Sequence, residues 1–173
     1  MMRQIIRRRT AASVAIAILL LMLVACDEKG QPLPVMREAE AVQMVRMHAE
    51  RIAETARSTL NNWNVVSAPC EGRNGEVAED GRWNLSGHAQ IPVPESAQIT
   101  TLQLIRERWQ EQGYEITRFR SFGPEGRHGS LSAREPRNGV SITLSTTTPP
   151  QALAVTLLTP CYARAPGEDP ANT

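Results

Sequence analysis

Cysteine and histidine are among the residue types whose side chains can act as nucleophiles or metal ligands. The sequence has three of each: Cys26, Cys70, Cys161, His48, His88 and His128. No two of them have the short spacing of a zinc site, and no cysteine lies beside a histidine. The sequence also has no GxSxG, HExxH, Walker or GxGxxG motif. We therefore predict no catalytic residue, no metal site and no cofactor, and we interpret each histidine as a surface or hydrogen-bonded residue.

The first 25 residues have the charge and hydropathy pattern of a secretory signal peptide. The first nine residues contain four arginines and no acidic residue, and the fifteen residues 11–25 carry no charge. A helix needs about 20 apolar residues to cross a bilayer, whereas the apolar region of a signal peptide has about 7–15 residues. The length therefore favours export over a membrane-spanning helix.

The run Leu23-Val24-Ala25-Cys26 ends this segment. It resembles the lipobox of bacterial lipoproteins, in which a small residue precedes a cysteine that becomes acylated. The resemblance covers residues 1–26. It implies that Cys26 carries a diacylglycerol with palmitate-type chains, that residues 1–25 are cleaved off, and that the chain is anchored to the cell membrane facing outside the cytoplasm. Two or more acyl chains anchor a protein stably, because each buried methylene contributes about 0.8 kcal/mol. The alternative is an uncleaved membrane anchor in which Cys26 has no role.

The same resemblance bears on the other two cysteines. If Cys26 is acylated, Cys70 and Cys161 remain as a pair outside the reducing cytosol, where disulfides persist. We therefore predict a disulfide that closes a loop of about 90 residues. A metal site and reactive thiols remain as alternatives for this pair.

Length and charge limit the class of protein. After cleavage 148 residues would remain, enough for one domain with an apolar core. The full sequence has 19 basic and 18 acidic residues, and cleavage removes four arginines, so the mature chain is slightly acidic. This balance argues against a nucleic-acid-binding surface, which needs a basic excess. We predict a polar tether over 26–34, a single α+β domain over 35–162, and a disordered tail over 163–173, which is polar and contains two prolines.

Hydropathy periods predict the elements of this domain. Apolar residues at spacings of three and four predict helices over 35–60 and 96–112. Alternation predicts six strands, over 63–68, 82–93, 114–122, 127–134, 140–146 and 153–158. The order α-β-β-α-β-β-β-β predicts an α+β fold, with a mostly antiparallel sheet of about six strands and both amphipathic helices on one face. The layout resembles small exported α/β sandwich domains that many actinobacterial lipoproteins of unknown function carry.

Large and charged side chains are the remaining candidates for binding. Trp83 and Trp109 are predicted to fill the core or to line a pocket. Arg118 and Arg120 are two residues apart and are therefore predicted to lie on one face of a strand. They could form a basic patch for lipid headgroups or an anionic envelope polymer, or simply belong to a solvated face. The acidic loop 71–81 fits no known calcium-loop spacing. We expect a non-enzymatic domain that binds a protein or an envelope component. The alternative is a module for a small apolar ligand or lipid between the helices and the sheet.

The lipobox interpretation can be tested by the substitution Cys26→Ser. A serine hydroxyl cannot replace the thiol in the acylation step, so the variant should not be labelled by a fatty-acid probe and should accumulate as uncut precursor. Metabolic labelling and the mass of the N-terminal fragment measure both effects. Normal processing of the variant would contradict the interpretation.

Overall fold

The computed structural model describes residues 32–72 and 74–172. The predicted signal peptide, the acylated Cys26 and most of the predicted tether lie outside these residues. From Leu33 onward the chain belongs to one unit. Neither of its helices is both long enough and apolar enough to cross a bilayer.

Besides two short 3₁₀ helices, the described chain contains two α-helices and eight strands. In chain order they are β1 (Val35–Met36), α1 (Glu38–Thr55), β2 (Asn61–Pro69), β3 (Trp83–Pro92), α2 (Glu95–Glu111), β4 (Glu115–Phe122), β5 (His128–Arg134), β6 (Ser141–Thr147), β7 (Ala152–Leu158) and β8 (Ala163–Arg164). Six strands form one antiparallel sheet in the order β2-β3-β7-β6-β5-β4. The predicted α+β class, the six-stranded sheet and the order of the main elements are confirmed.

Both helices pack on the same face of the sheet. Helix α1 contacts β3 and β7, and α2 contacts β4 to β7, so we call this side the inner face and the opposite side the outer face. Because only one face is covered, burial alternates along strand β3. Its inward residues from Trp83 to Ile91 are buried, whereas the residues between them are half-buried or exposed. This alternation is typical of an antiparallel sheet with one face against the core.

Both helices end in the same backbone motif. The amide of Ser58 donates to the carbonyl of Ala53, and the amide of Tyr114 donates to the carbonyl of Trp109. These six-residue bonds define Schellman motifs, whose preceding residue takes a left-handed conformation. Arg57 has φ 51° and Gly113 has φ 82°. The first helix therefore stops at Thr55 instead of continuing to residue 60, because the chain turns at Arg57.

The segment 163–172 differs from the predicted disordered tail. Strand β8 pairs in parallel with β1, and the backbone amide of Glu38 donates to the carboxylate of Glu168 at 3.0 Å. Ala165 is buried after this strand. The same pairing makes residues 35–36 a strand, so α1 begins only at Glu38. This polar segment is ordered because β1 and β8, at opposite ends of the domain sequence, complete each other's backbone hydrogen bonds.

The predicted disulfide between Cys70 and Cys161 is present, with an S–S distance of 2.05 Å. It joins the end of β2 to the segment between β7 and β8, across a sequence separation of 91 residues. By restricting the unfolded chain, a cross-link over such a loop stabilises the folded state.

We predict that the double variant Cys70→Ala/Cys161→Ala unfolds more easily than the wild type. Loop-closure entropy sets an upper figure of about 4–5 kcal/mol for the loss in free energy of unfolding. Urea denaturation measures the loss. The chemically reduced wild type serves as the control and should lose a similar amount, because it lacks the cross-link but retains both side chains. A loss below about 1 kcal/mol in both proteins would show that the bridge contributes little.

Candidate functional site

The two predicted pocket residues lie in the core. Trp83 has no exposed surface and Trp109 is 4% exposed. Trp83 packs against Tyr162, with ring centroids 5.8 Å apart, and Trp109 stacks on Tyr114 at 5.6 Å. Neither tryptophan lines either of the two clefts described below. The packing of both rings weighs against an apolar ligand site built around them.

The two clefts lie at opposite ends of β3. One, of about 520 Å³, lies between the start of α2 and the β4–β5 connection and is lined by residues such as Ser96 and Arg127. The other, of about 500 Å³, adjoins the disulfide and contains most of the acidic loop. There Arg82 hydrogen-bonds the carboxylate of Asp80 and lowers its pKa to about 2. No group of three or more cysteine, histidine or acidic side chains in the described chain is arranged to hold a metal ion.

The outer face of the sheet is a polar surface that spans all six strands. The strand registers align its side chains in rows that cross all six strands. The central row is Asn64, His88, Thr156, Thr143, Ser132 and Arg118. A neighbouring row is Gln90, Ala154, Ser145, Ser130 and Arg120, and at its β2 end, beside a register shift, Asn62 Nδ2 donates to Gln90 Oε1 at 2.8 Å. These rows consist almost entirely of hydroxyl, amide, imidazole and guanidinium groups, which can donate or accept hydrogen bonds.

Solvent reaches this face along most of its width. The side chains of His88, Thr143, Thr156 and Arg118 in the central row are exposed. Within the central row, Ser132 Oγ and Thr143 Oγ1 lie 3.1 Å apart and share a hydrogen bond. The sheet therefore presents an accessible and ordered polar platform.

The predicted arginine pair lies at one edge of this platform. Phe119, between the two arginines, points inward, where the Arg106 guanidinium lies 4.7 Å from its ring centroid. By strand alternation Arg118 and Arg120 point outward. The guanidinium of Arg120 lies 5.4 Å from the ring centroid of Phe122, a cation–π contact that orients it. Among the residues described, no carboxylate forms a salt bridge with either arginine.

A second polar cluster is buried where α1 meets the end of α2 and the β5–β6 turn. His48, only 5% exposed, has Nδ1 2.9 Å from the hydroxyl of Tyr114 and Nε2 3.1 Å from Asn138 Nδ2. The Schellman motif at the end of α2 positions Tyr114, since it turns that ring back onto Trp109. Sequence reasoning treated His48 as a surface or hydrogen-bonded residue, and it is buried and hydrogen-bonded.

The hydrogen bonds of Asn138 define the protonation state of His48. The side-chain oxygen of Asn138 accepts from the backbone amide of Val140 at 3.1 Å, so its NH₂ group must face the imidazole. An amide NH₂ can only donate, and therefore His48 Nε2 accepts and carries no proton. The neutral ring then carries its proton on Nδ1 and donates to Tyr114. A charged His48 would place two donors face to face.

Burial and nearby charges act on the same histidine. Burial lowers the pKa of His48 below its usual 6.5, the carboxylate of Glu135 opposes this change, and Arg51 and Arg137 reinforce it. The buried Glu135 accepts from Arg137 Nε at 2.8 Å and from the Asn138 amide at 3.1 Å. Burial raises the pKa of Glu135, but these bonds lower it below the usual range. Because neither cleft described above includes this cluster, we assign it the role of joining α1 to the sheet.

Comparison with known proteins adds no assignment to either surface. No protein-family model matches the sequence, and no curated protein matches it.

We predict that protonation of His48 destabilises the domain in mild acid. The unfolded chain takes up this proton near pH 6.5, whereas the folded chain takes it up only at lower pH. The free energy of unfolding is therefore highest above about pH 6.5 and falls as the pH decreases through the folded-state pKa. The measurement is urea denaturation between pH 7.5 and 5.

The variant His48→Gln should lose much of this pH dependence, whatever its stability at pH 7.5. The exposed His88 gives the matched control, because His88→Gln removes an imidazole that is not buried. An unchanged pH profile in His48→Gln would show that His48 is not the responsible group.

Proposed function

We propose that this protein is a bacterial lipoprotein, anchored to the cell membrane through Cys26, whose non-enzymatic domain binds an envelope component outside the cytoplasm. The observation that carries the binding part of the proposal is the exposed outer face of the sheet. It offers rows of hydrogen-bonding side chains and two outward arginines without salt-bridge partners among the described residues. The signal-peptide pattern and the lipobox support the anchor.

The length of the tether is compatible with such a role. Six residues, 27–32, separate the acylated cysteine from the folded unit that begins at Leu33 in this proposal. An extended chain spans at most about 3.3–3.6 Å per residue, so this tether spans at most about 25 Å. The domain could therefore engage a component of the membrane-proximal envelope.

The alternative function, a module for a small apolar ligand or lipid, has weaker support. It requires a cavity between the helices and the sheet, and that layer contains a packed core that includes both tryptophans. The cleft beside α2 is lined mostly by polar and charged side chains. The outer face is the better candidate for binding.

Site-specific photo-crosslinking in intact cells tests the proposed surface. A photoreactive amino acid at Thr143, in the central row, should trap an envelope component, whereas the same residue at Gln103 should not. Gln103 is exposed on α2, in the layer opposite the outer face, and serves as the matched control. Equal trapping from both positions, or trapping from Gln103 alone, would contradict a binding role for the outer face.

A further inference from the structure

The chemistry of the central row restricts what the outer face can bind. It contains an amide, an imidazole, three hydroxyls and a guanidinium, and no apolar side chain. The centre of a protein–protein interface is usually enriched in aromatic and other apolar residues. The large exposed apolar side chains of this face, Val66, Leu158 and Phe122, lie outside the central row. The centre of the face therefore suits a hydroxyl-rich ligand better than a protein surface.

The dimensions of the face favour an extended ligand. Neighbouring strands lie about 4.7–4.9 Å apart, so a row that crosses six strands is about 24 Å long. Successive rows on one face are two residues apart, which is about 6.7 Å. A polymer lying along a row would meet one hydrogen-bonding side chain per strand.

The positive charge at the end of the rows favours a ligand that carries negative charge. Both rows end on β4, one at Arg118 and one at Arg120, and the residues before them in each row carry no carboxylate. The domain is otherwise slightly acidic, since the part of the sequence after residue 25 has 15 basic and 18 acidic residues. Guanidinium groups bind carboxylates and phosphates through two parallel hydrogen bonds. Neither arginine has a salt-bridge partner among the described residues, so the end of each row provides a position for an acidic group.

From these observations we propose that the outer face binds an anionic glycan chain of the cell envelope. Its sugar hydroxyls would hydrogen-bond the Ser132 and Thr143 hydroxyls and their neighbours in the row. Its carboxylate or phosphate groups would pair with Arg118 and Arg120. This inference rests on the proposed function and gives the bound component a chemical class.

The test uses the full-length acylated protein inserted in phosphatidylcholine vesicles and fluorescent polygalacturonate as the anionic glycan. The protein should bind polygalacturonate with an affinity that falls as salt increases, because screening weakens the arginine pairs. It should bind dextran, a neutral glycan, at least tenfold more weakly. The double variant Arg118→Gln/Arg120→Gln should lose at least tenfold in affinity for polygalacturonate.

Two variants separate this site from general charge effects. Arg46→Gln/Arg108→Gln removes the same charge from exposed positions on the two helices and should bind within about twofold of the wild type. Ser132→Ala/Thr143→Ala keeps the charge but removes the hydroxyl pair, and should lose affinity several-fold. Equal losses in the two arginine double variants would overturn the assignment to the outer face.

Other ligands give outcomes that overturn the inference. Polyglutamate bound as tightly as polygalacturonate would indicate an acidic protein segment instead of a glycan. Capture of separate phosphatidylglycerol vesicles in preference to polygalacturonate would indicate a lipid surface. A crosslink from Thr143 to a protein in cells, without polygalacturonate binding, would overturn the inference and leave the proposed function standing.

Discussion

Two helices can cover only one face of a six-stranded sheet, and most features of this domain follow from that limit. The inner face contributes apolar residues from all six strands of the sheet, together with the stripes of α1 and α2, to a single core. Since successive side chains on a strand point to opposite faces, burying one set exposes the other. The outer face is therefore polar because it has to remain in water. Its hydroxyl rows end at two arginines that form no salt bridge with a described carboxylate.

At the edges of the core, polar contacts join residues that lie far apart in the sequence. His48 on α1 reaches Tyr114 and Asn138, which come from two different connections. The cluster is fully hydrogen-bonded only when the imidazole is neutral, so its contribution depends on pH as well as on packing. Elsewhere, the β1–β8 pair and the disulfide hold the two ends of the domain against the sheet. These contacts fix the ends of a domain whose core is built from local helices and hairpins.

Much of the fold could be predicted from local patterns. The alternation in β3 and the spacing of Ala41, Val45, Ala49 and Ile52 in α1 are direct consequences of one buried face. Gly113 was recognisable as the end of α2, because few other residues adopt its left-handed backbone conformation readily. The left-handed Arg57 gave no comparable signal, and the first helix was predicted five residues too long at its end. The order of the tail could not be predicted for a different reason. It comes from pairing with residues 35–36, more than a hundred positions earlier in the sequence.

The candidate surface was predictable only in part. The sequence by itself determined that Arg118 and Arg120 share a strand face, because alternation is a local property of the backbone. It also determined which residues of each strand avoid the core. Only the tertiary structure decided that β7 lies between β3 and β6, and therefore which polar side chains stand next to each other across the sheet. Strand order depends on hydrogen bonds between segments far apart in the chain, and no local pattern encodes it. The row that ends at Arg118 exists only because six separate strands meet in one register.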